Sequence, residues 1–107
     1  MYTHELVGTW TSKAYLRNGS WRACGKRTYG PTLRFNADGT GKAIMKKLTH
    51  TNTEHFLWDV IDGSICCISD DVLLFICDPI PGLDGTLNVI SAPEYKLLRI
   101  DYIYEKA

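Results

Sequence analysis

The stretch "TLRFNADGTGKAIM", residues 32–45, decides how this chain is expected to fold. Its two flanks alternate apolar and polar side chains, with Leu33 and Phe35 on one face, as in half-buried β-strands. Between the flanks, Asn36, Asp38 and Gly39 supply side-chain hydrogen-bond acceptors and a residue that tolerates positive φ. The stretch therefore predicts two antiparallel strands joined by a tight turn.

Turn signals of this kind recur along the chain. Asn18-Gly19, Asp62-Gly63 and Asp70-Asp71 each fit a tight hairpin turn, whereas Gly25 indicates a bend within the less regular segment 21–29. Thr3 is a candidate cap for one helical turn in "THELV". No segment shows a convincing helical period, so the chain is predicted to be an all-β antiparallel barrel or sandwich. The predicted strands are 8–16, 32–36, 40–48, 54–61, 64–69, 72–78, 86–91 and 95–105.

Length and composition indicate one domain over residues 1–107. The chain is 45% hydrophobic and 22% charged, so it can bury a core without disulfides. No apolar run approaches the roughly 18 residues that span a bilayer, and the N-terminus lacks the pattern of a secretory signal. We therefore expect a cytoplasmic protein without membrane insertion. The four cysteines form no CxxC pair, which argues against zinc and thioredoxin-like sites and favours free, reduced thiols.

The zero net charge hides a strong asymmetry between the two halves of the chain. Residues 1–50 carry nine Lys or Arg against two acids, a balance of +7, and residues 51–107 carry three against ten, a balance of −7. Such a split can mark a basic binding face. Because no block of five like charges occurs, we expect instead that the two halves interleave and neutralise each other.

Four short motifs occur in order along the chain. Gly8 and Trp10 in "LVGTW", and then the run "LRFNADGTGKA", resemble the Gly-x-Trp and second-hairpin signatures of small bacterial lipocalin-like (calycin) domains. "FLWDVIDG" is similar to the Trp-bearing strand that follows, and "YKLLRIDYIYE" to the closing strand, where Arg99 is a candidate for the arginine that stacks on the tryptophan. The resemblance implies an up-and-down barrel of about eight strands, open at one end and often holding an apolar pocket.

The large side chains inside such a barrel have two possible roles. An eight-stranded barrel is either filled by its own side chains or holds one small ligand. A chain this short has few side chains to spare for the walls of a cavity, which favours the core role. We expect Trp10 to be buried at the closed end against the last strand. The residues in question are Trp10, Phe35, Trp58, Leu98, Ile100 and Tyr102.

A ligand would enter through loops at the open end. If segments 21–31, 49–53 and 79–86 share one rim, they surround an entrance for a small apolar or amphipathic ligand, and Arg22 and Arg27 meet an acidic head group. The candidate ligand-binding residues are Trp21, Arg22, Arg27, Tyr29, Phe56, Trp58, Ile80, Leu83 and Tyr102.

The sequence offers no catalytic or metal-binding motif. Nucleophile elbow, phosphate loop, HExxH and paired-carboxylate patterns are all missing, and the three histidines do not cluster. We therefore expect a binding protein without catalytic residues, metal or cofactor, rather than an enzyme.

Two further functions stay open. The segments 64–69 and 72–78 are apolar on both faces, so their outer face is either covered by another part of the chain or meets a partner, for instance a second copy in a homodimer. A two-residue turn at Asp70-Asp71 would place Cys66 and Cys77 on one face and Cys67 on the other.

Basic and aromatic residues also alternate near the N-terminus, as they do in proteins that bind single-stranded nucleic acid. The helix typical of an oligonucleotide-binding barrel is, however, not predicted. These residues are Tyr15, Arg17, Trp21, Arg22, Lys26, Arg27 and Tyr29.

Overall fold

Nine β-strands and one helical turn form the described part of the chain, which comprises residues 3–26, 28–92 and 100–107 of a computed structural model. The predicted all-β class is confirmed. Arg27, Leu98, Arg99 and the first part of the predicted strand 95–105 lie outside the described residues. The elements are α1 (Thr3–Leu6), β1 (Gly8–Arg17), β2 (Ser20–Ala23), β3 (Thr32–Phe35), β4 (Thr40–Lys46), β5 (Thr51–Ile61), β6 (Ser64–Ser69), β7 (Val72–Pro79), β8 (Thr86–Ser91) and β9 (Tyr102–Lys106).

The strands close into an antiparallel barrel of eight strands with β2 as an extra strand. The sheet order is β2-β1-β3-β4-β5-β6-β7-β8-β9, and β1 also pairs with β9. Along its other edge, β1 pairs first with β3 and then, over residues 14–17, with β2. The strand order follows the chain, so the strands of the basic half, β1 to β4, are neighbours. The expectation that the two halves interleave is therefore wrong.

The tight turns form where they are predicted. Asn18-Gly19, Asp62-Gly63 and Asp70-Asp71 all have positive φ at both residues, as two-residue hairpin turns require. In the turn between β3 and β4, the Thr40 backbone N–H and hydroxyl both donate to the Asp38 carboxylate, at 3.0 and 2.6 Å. These two hydrogen bonds lower the pKa of Asp38.

Aromatic rings fill much of the barrel interior. Trp10, Phe35, Phe75 and Tyr104 are at most 1% exposed. Edge-to-face contacts join Phe35 to Phe56 and Phe56 to Phe75, with ring centroids 5.7 and 5.2 Å apart. The predicted burial of Trp10 against the last strand is confirmed, since Trp10 is fully buried and pairs with Lys106 of β9. The expectation that this is the closed end of the barrel is wrong, because a cavity adjoins Trp10 there. Of the other expected interior residues, Tyr102 is buried and Trp58 is half-buried, but Ile100 is 36% exposed because it precedes β9 instead of lying within it.

A β-bulge changes which cysteines share a face. Ser69 pairs with Val72 as predicted, but the register shifts after Cys67, so that Ile65 and not Ser64 faces Cys77. Cys67 and Cys77 therefore lie together on the buried inner face, and Cys66 points outward beside Ile76. The predicted pairing of Cys66 with Cys77 on one face is wrong. All four cysteines are free thiols.

Candidate functional site

The barrel has two ends, and the strand directions fix which loops lie at each. We call the end with α1, the β3–β4 turn and the β7–β8 loop 80–85 the helix end, and the opposite end, with the β1–β2 and β6–β7 turns, the hairpin end. The predicted loop 49–53 is mostly strand, since β5 begins at Thr51 and the β4–β5 turn spans residues 47–50. Because neighbouring strands are antiparallel, this turn and β2 lie at the hairpin end, whereas loop 80–85 lies at the helix end. The expectation that the three long loops share one rim is therefore wrong.

The hairpin end holds four of the predicted site residues. Trp21 pairs with Leu16 and is 45% exposed, whereas Arg22 pairs with Tyr15 on the other face of the β1–β2 hairpin. Tyr29 is exposed and its hydroxyl donates to the Lys46 carbonyl at 3.0 Å, which ties residues 28–31 to the end of β4. Tyr102 is buried at the start of β9, and burial raises its pKa.

Gly30 and Pro31 occupy space against the inner face of the barrel at this end. Gly30 is buried, its N–H donates to Ser12 Oγ at 3.0 Å, and the Tyr104 hydroxyl donates to the Pro31 carbonyl. A Cβ at Gly30 would lie 2.6 Å from the Tyr104 hydroxyl oxygen and 3.2 Å from the Tyr102 ring. The chain's own backbone therefore fills part of the interior.

Phe56 and Trp58 serve the core more than an entrance. Phe56 is 3% exposed and packs between Phe35 and Phe75. The Trp58 indole N–H donates to the carbonyls of Asn36 and Thr40, at 3.1 and 3.0 Å, so that it pins the β3–β4 turn. Both residues thus hold together the hairpin whose sequence predicted the fold.

A cavity of ≈720 Å³ lies at the helix end and contains the remaining two predicted residues, Ile80 and Leu83. Leu83 is 56% exposed, and Trp10 lines the cavity from the core side. We call this space the helix-end cavity. Its lining consists of Glu5, Trp10, Pro79, Ile80, Pro81, Gly82, Leu83, Asp84, Gly85, Thr86 and Lys106.

The wall formed by loop 80–85 is ordered by hydrogen bonds of its own. The Leu83 N–H donates to the Ile80 carbonyl at 3.1 Å, and the Ile80 N–H donates to the Thr86 carbonyl at 3.4 Å. The Thr86 hydroxyl donates to the Leu83 carbonyl at 2.6 Å, and Gly85 accepts from the Lys106 N–H at 3.1 Å. These hydrogen bonds fix the conformation of the loop without a ligand, which would reduce the entropy cost of binding one.

Gly8 and Trp10 of the Gly-x-Trp motif position α1 and Lys106 beside this cavity. A Cβ at Gly8 would lie 3.0 Å from Lys106 Cε, so the missing side chain leaves room for the lysine stem across β1. The Lys106 ammonium then donates to the Glu5 carbonyl at 2.7 Å, and the Trp10 indole N–H donates to the Leu6 carbonyl at 2.8 Å. Gly8 and Trp10 thereby fix α1 over the barrel end and hold a cation at the rim of the cavity.

A second space, of ≈980 Å³, lies on the outer face of β3 to β6, and the sequence reasoning did not identify it. Arg34, Lys42 and His55 are direct cross-strand neighbours there, and the row ends near the carboxylates of Asp70 and Asp71. We call these three side chains the basic row. All three residues occupy outward positions in strands whose side chains alternate between the two faces. The sequence therefore predicts that they face solvent, but it does not predict that they are neighbours.

Three further observations concern the described residues. Within residues 3–26, 28–92 and 100–107, no three His, Cys, Asp or Glu side chains come together in a way that would hold a metal ion. Over the same residues, no helix is long and apolar enough to cross a membrane. Burial raises the pKa of the Cys67 thiol well above its usual value, which disfavours the thiolate that nucleophilic chemistry needs.

Comparison with known proteins finds no match for this chain among protein-family models, curated proteins or solved structures.

Proposed function

We propose that this protein is a non-enzymatic, lipocalin-like binding module, and that it takes a small amphipathic ligand with an acidic head group into the helix-end cavity. The observation that carries the proposal is a cavity of ≈720 Å³ that sets the aliphatic side chains of Ile80 and Leu83 beside one fixed ammonium at its rim. Small-molecule sites typically enclose about 300–1,000 Å³ and combine apolar walls with few polar groups. The lipocalin-like assignment rests on the closed eight-stranded barrel and on the position of Gly8 and Trp10.

The walls favour an alkyl chain or a ring as the apolar part of the ligand. Ile80, Leu83 and the two prolines 79 and 81 present aliphatic surface, and Leu83 leaves 56% of its surface in water. A bound apolar group would remove that surface from water. Covering about half of a leucine side chain is worth roughly 1 kcal/mol, or about fivefold in affinity.

The head group would meet Lys106. The ammonium uses one of its three donors on the Glu5 carbonyl, so further donors can reach a carboxylate or sulfonate. Glu5 and Asp84 also line the cavity, which disfavours a ligand with more than one negative charge. A single-chain monocarboxylate fits this combination best.

Titration calorimetry with dodecanoate tests the proposal. We expect Leu83→Ala to weaken binding about fivefold, because it removes the aliphatic surface that the chain covers. Ile61→Ala is the matched control, since Ile61 is 51% exposed on β5 and lies outside the cavity lining. Absence of binding to the unaltered protein, or equal weakening by both variants, would refute the proposed site.

A second pair of measurements tests the head group. Lys106→Met keeps an unbranched stem over Gly8 and removes the charge, and we expect a two- to fivefold loss of dodecanoate affinity, typical of an exposed ion pair. Dodecyltrimethylammonium carries the opposite charge, so its affinity should be unchanged or higher in the same variant. If both amphiphiles lose affinity equally, the lysine does not select the head group.

A further inference from the structure

The space on the outer face of β3 to β6 is lined by charged side chains of both signs and by two aliphatic ones. We call it the outer-face site, and its lining includes the basic row, Leu57, Ile68, Asp70 and Asp71. It shares no lining residue with the helix-end cavity. A ligand that binds here therefore requires a chemistry of its own.

Two cations stand side by side at one end of the outer-face site. Arg34 lies directly opposite Lys42, and Lys42 lies opposite His55. Like charges that face each other across a strand pair repel and destabilise it. Within residues 3–26, 28–92 and 100–107, no carboxylate forms an ion pair with Arg34 or Lys42. A bound anion would therefore relieve a repulsion that the described chain leaves uncompensated.

The other end of the outer-face site is anionic. Leu57 pairs with Ile68, so the turn that follows β6 lies beside His55, at the end of the basic row. This turn carries Asp70 and Asp71, which are both exposed. Among the same described residues, no cation lies within ion-pair distance of either carboxylate. The site therefore presents a positive and a negative end, with β5 between them, and the two ends do not neutralise each other.

The spacing of the strands sets the distance between the two ends. Neighbouring strands lie about 4.8 Å apart, so β4 and β3 stand roughly 10 and 14 Å from the turn that follows β6. An extended peptide rises about 3.3–3.6 Å per residue, so the terminal charges of a tripeptide are roughly 10 Å apart. With the reach of the protein side chains added, a tripeptide is long enough to contact both ends at once.

Aliphatic surface lies beside the line that joins the two ends. Leu57 and Ile68 occupy the next outward positions along β5 and β6, and they pair with each other. Leu57 is 63% exposed and Ile68 is half-buried. Apolar side chains of a ligand would cover this surface, which favours binding because it removes apolar area from water.

We propose that the outer-face site binds a short zwitterionic peptide with apolar side chains. The peptide's carboxylate lies at Arg34 and Lys42, and its ammonium lies at Asp70 and Asp71. Its side chains cover the aliphatic surface beside them. A reversed peptide would set charges of like sign together, so the site selects one direction of the peptide chain.

A nuclear magnetic resonance titration with trileucine tests the proposal. We expect saturable shifts of the amide signals in β4, β5 and the β6–β7 turn. The titration should extend to about 10 mM, because exposed ion pairs are weak and the expected dissociation constant is on the order of 1 mM. Absence of saturable shifts over this range overturns the proposal.

Two blocked peptides separate the two ends of the site. N-acetyl-trileucine keeps only the carboxylate, and trileucine amide keeps only the ammonium. We expect each to bind roughly two- to fivefold more weakly than trileucine, the effect of losing one exposed ion pair. If both blocked peptides bind as tightly as trileucine, the charges do not contribute and the proposal fails.

Charge-removing variants should match the blocked peptides. Lys42→Gln should weaken the binding of trileucine and of N-acetyl-trileucine by roughly two- to fivefold and should not weaken the binding of trileucine amide. Asp70→Asn combined with Asp71→Asn should weaken trileucine and its amide but not the acetylated peptide. Both aspartates have positive φ, which asparagine also tolerates, so the turn is preserved.

Two control variants remove the same charges elsewhere. Lys47 is exposed in the β4–β5 turn, and Asp62 has positive φ in the β5–β6 turn; both lie outside the lining of the outer-face site. Lys47→Gln and Asp62→Asn should leave all three peptide affinities unchanged. Equal weakening by control and site variants overturns the proposal. Binding of inorganic phosphate that Lys42→Gln abolishes, together with trileucine binding that the aspartate variants leave unchanged, would make this an anion site and would also overturn it.

Discussion

Gly41 offers a sharp test of how the interior is packed. It lies on the inner face of β4, directly opposite Phe56 of β5. A Cβ at this position would lie 2.5 Å from Phe56 Cε1 and 2.7 Å from the Arg34 carbonyl oxygen. To relieve the first contact, the Phe56 ring would have to move, although it is packed between Phe35 and Phe75. To relieve the second contact, the backbone of β3 would have to move. Gly41→Ala should therefore strain the core.

Overpacking of this kind costs about 1–3 kcal/mol, and replacing a strand glycine with alanine returns about 0.5–1 kcal/mol of backbone entropy. We expect a net loss of about 1–2 kcal/mol in the free energy of unfolding. With a slope of about 1–3 kcal/mol per M urea, this lowers the midpoint of urea denaturation by on the order of 1 M.

Gly25→Ala is the matched control, because a Cβ at Gly25 meets no atom within 4 Å and the φ of Gly25 is not positive. It should leave stability unchanged or raise it slightly. The double variant Gly41→Ala with Phe56→Leu should recover part of the loss, since the smaller side chain relieves the ring contact but not the backbone contact. The described packing is wrong if Gly41→Ala is no less stable than Gly25→Ala.

Three other predictions follow from the core, the β3–β4 turn and the thiols. Trp10→Ala should reduce the free energy of unfolding by about 3–5 kcal/mol, and a loss below about 1 kcal/mol in reversible denaturation would show that Trp10 is not a core residue. The pKa of Asp38 is lowered in the folded protein. The stability that Asp38 contributes is therefore present above its unfolded-state pKa and is lost as the pH falls through its folded-state pKa. In an acid titration, Asp38→Asn should lose less stability at low pH than the unaltered protein, and an identical acid transition would contradict this. Under native conditions at pH 8, iodoacetamide should modify Cys66 before Cys67, because Cys67 is buried and its pKa is raised. Mass spectrometry of the labelled peptides measures the order of modification, and the opposite order would contradict the prediction.

Local sequence determined most of the strands and the tight turns of this protein, although β2 and the first three residues of β5 were not predicted as strand. Asn18-Gly19 and Asp62-Gly63 form two-residue turns because asparagine, aspartate and glycine adopt a positive φ more readily than other residues. The alternation around Leu33 and Phe35 likewise fixed which side of β3 is buried, since successive side chains in a strand point to opposite faces.

Only the tertiary structure decided which of these pieces adjoin. Closure between β1 and β9 and the alternating strand directions placed loop 80–85 at the end of the barrel opposite β2, which separated Leu83 from Trp21. The bulge in the β6–β7 pair placed Cys67 instead of Cys66 beside Cys77, because one extra residue shifts the register between two strands. The room that Gly8 leaves for Lys106 depends on a contact between residues almost a whole chain length apart. Such long-range contacts follow from the three-dimensional packing of the barrel and leave no local pattern in the sequence.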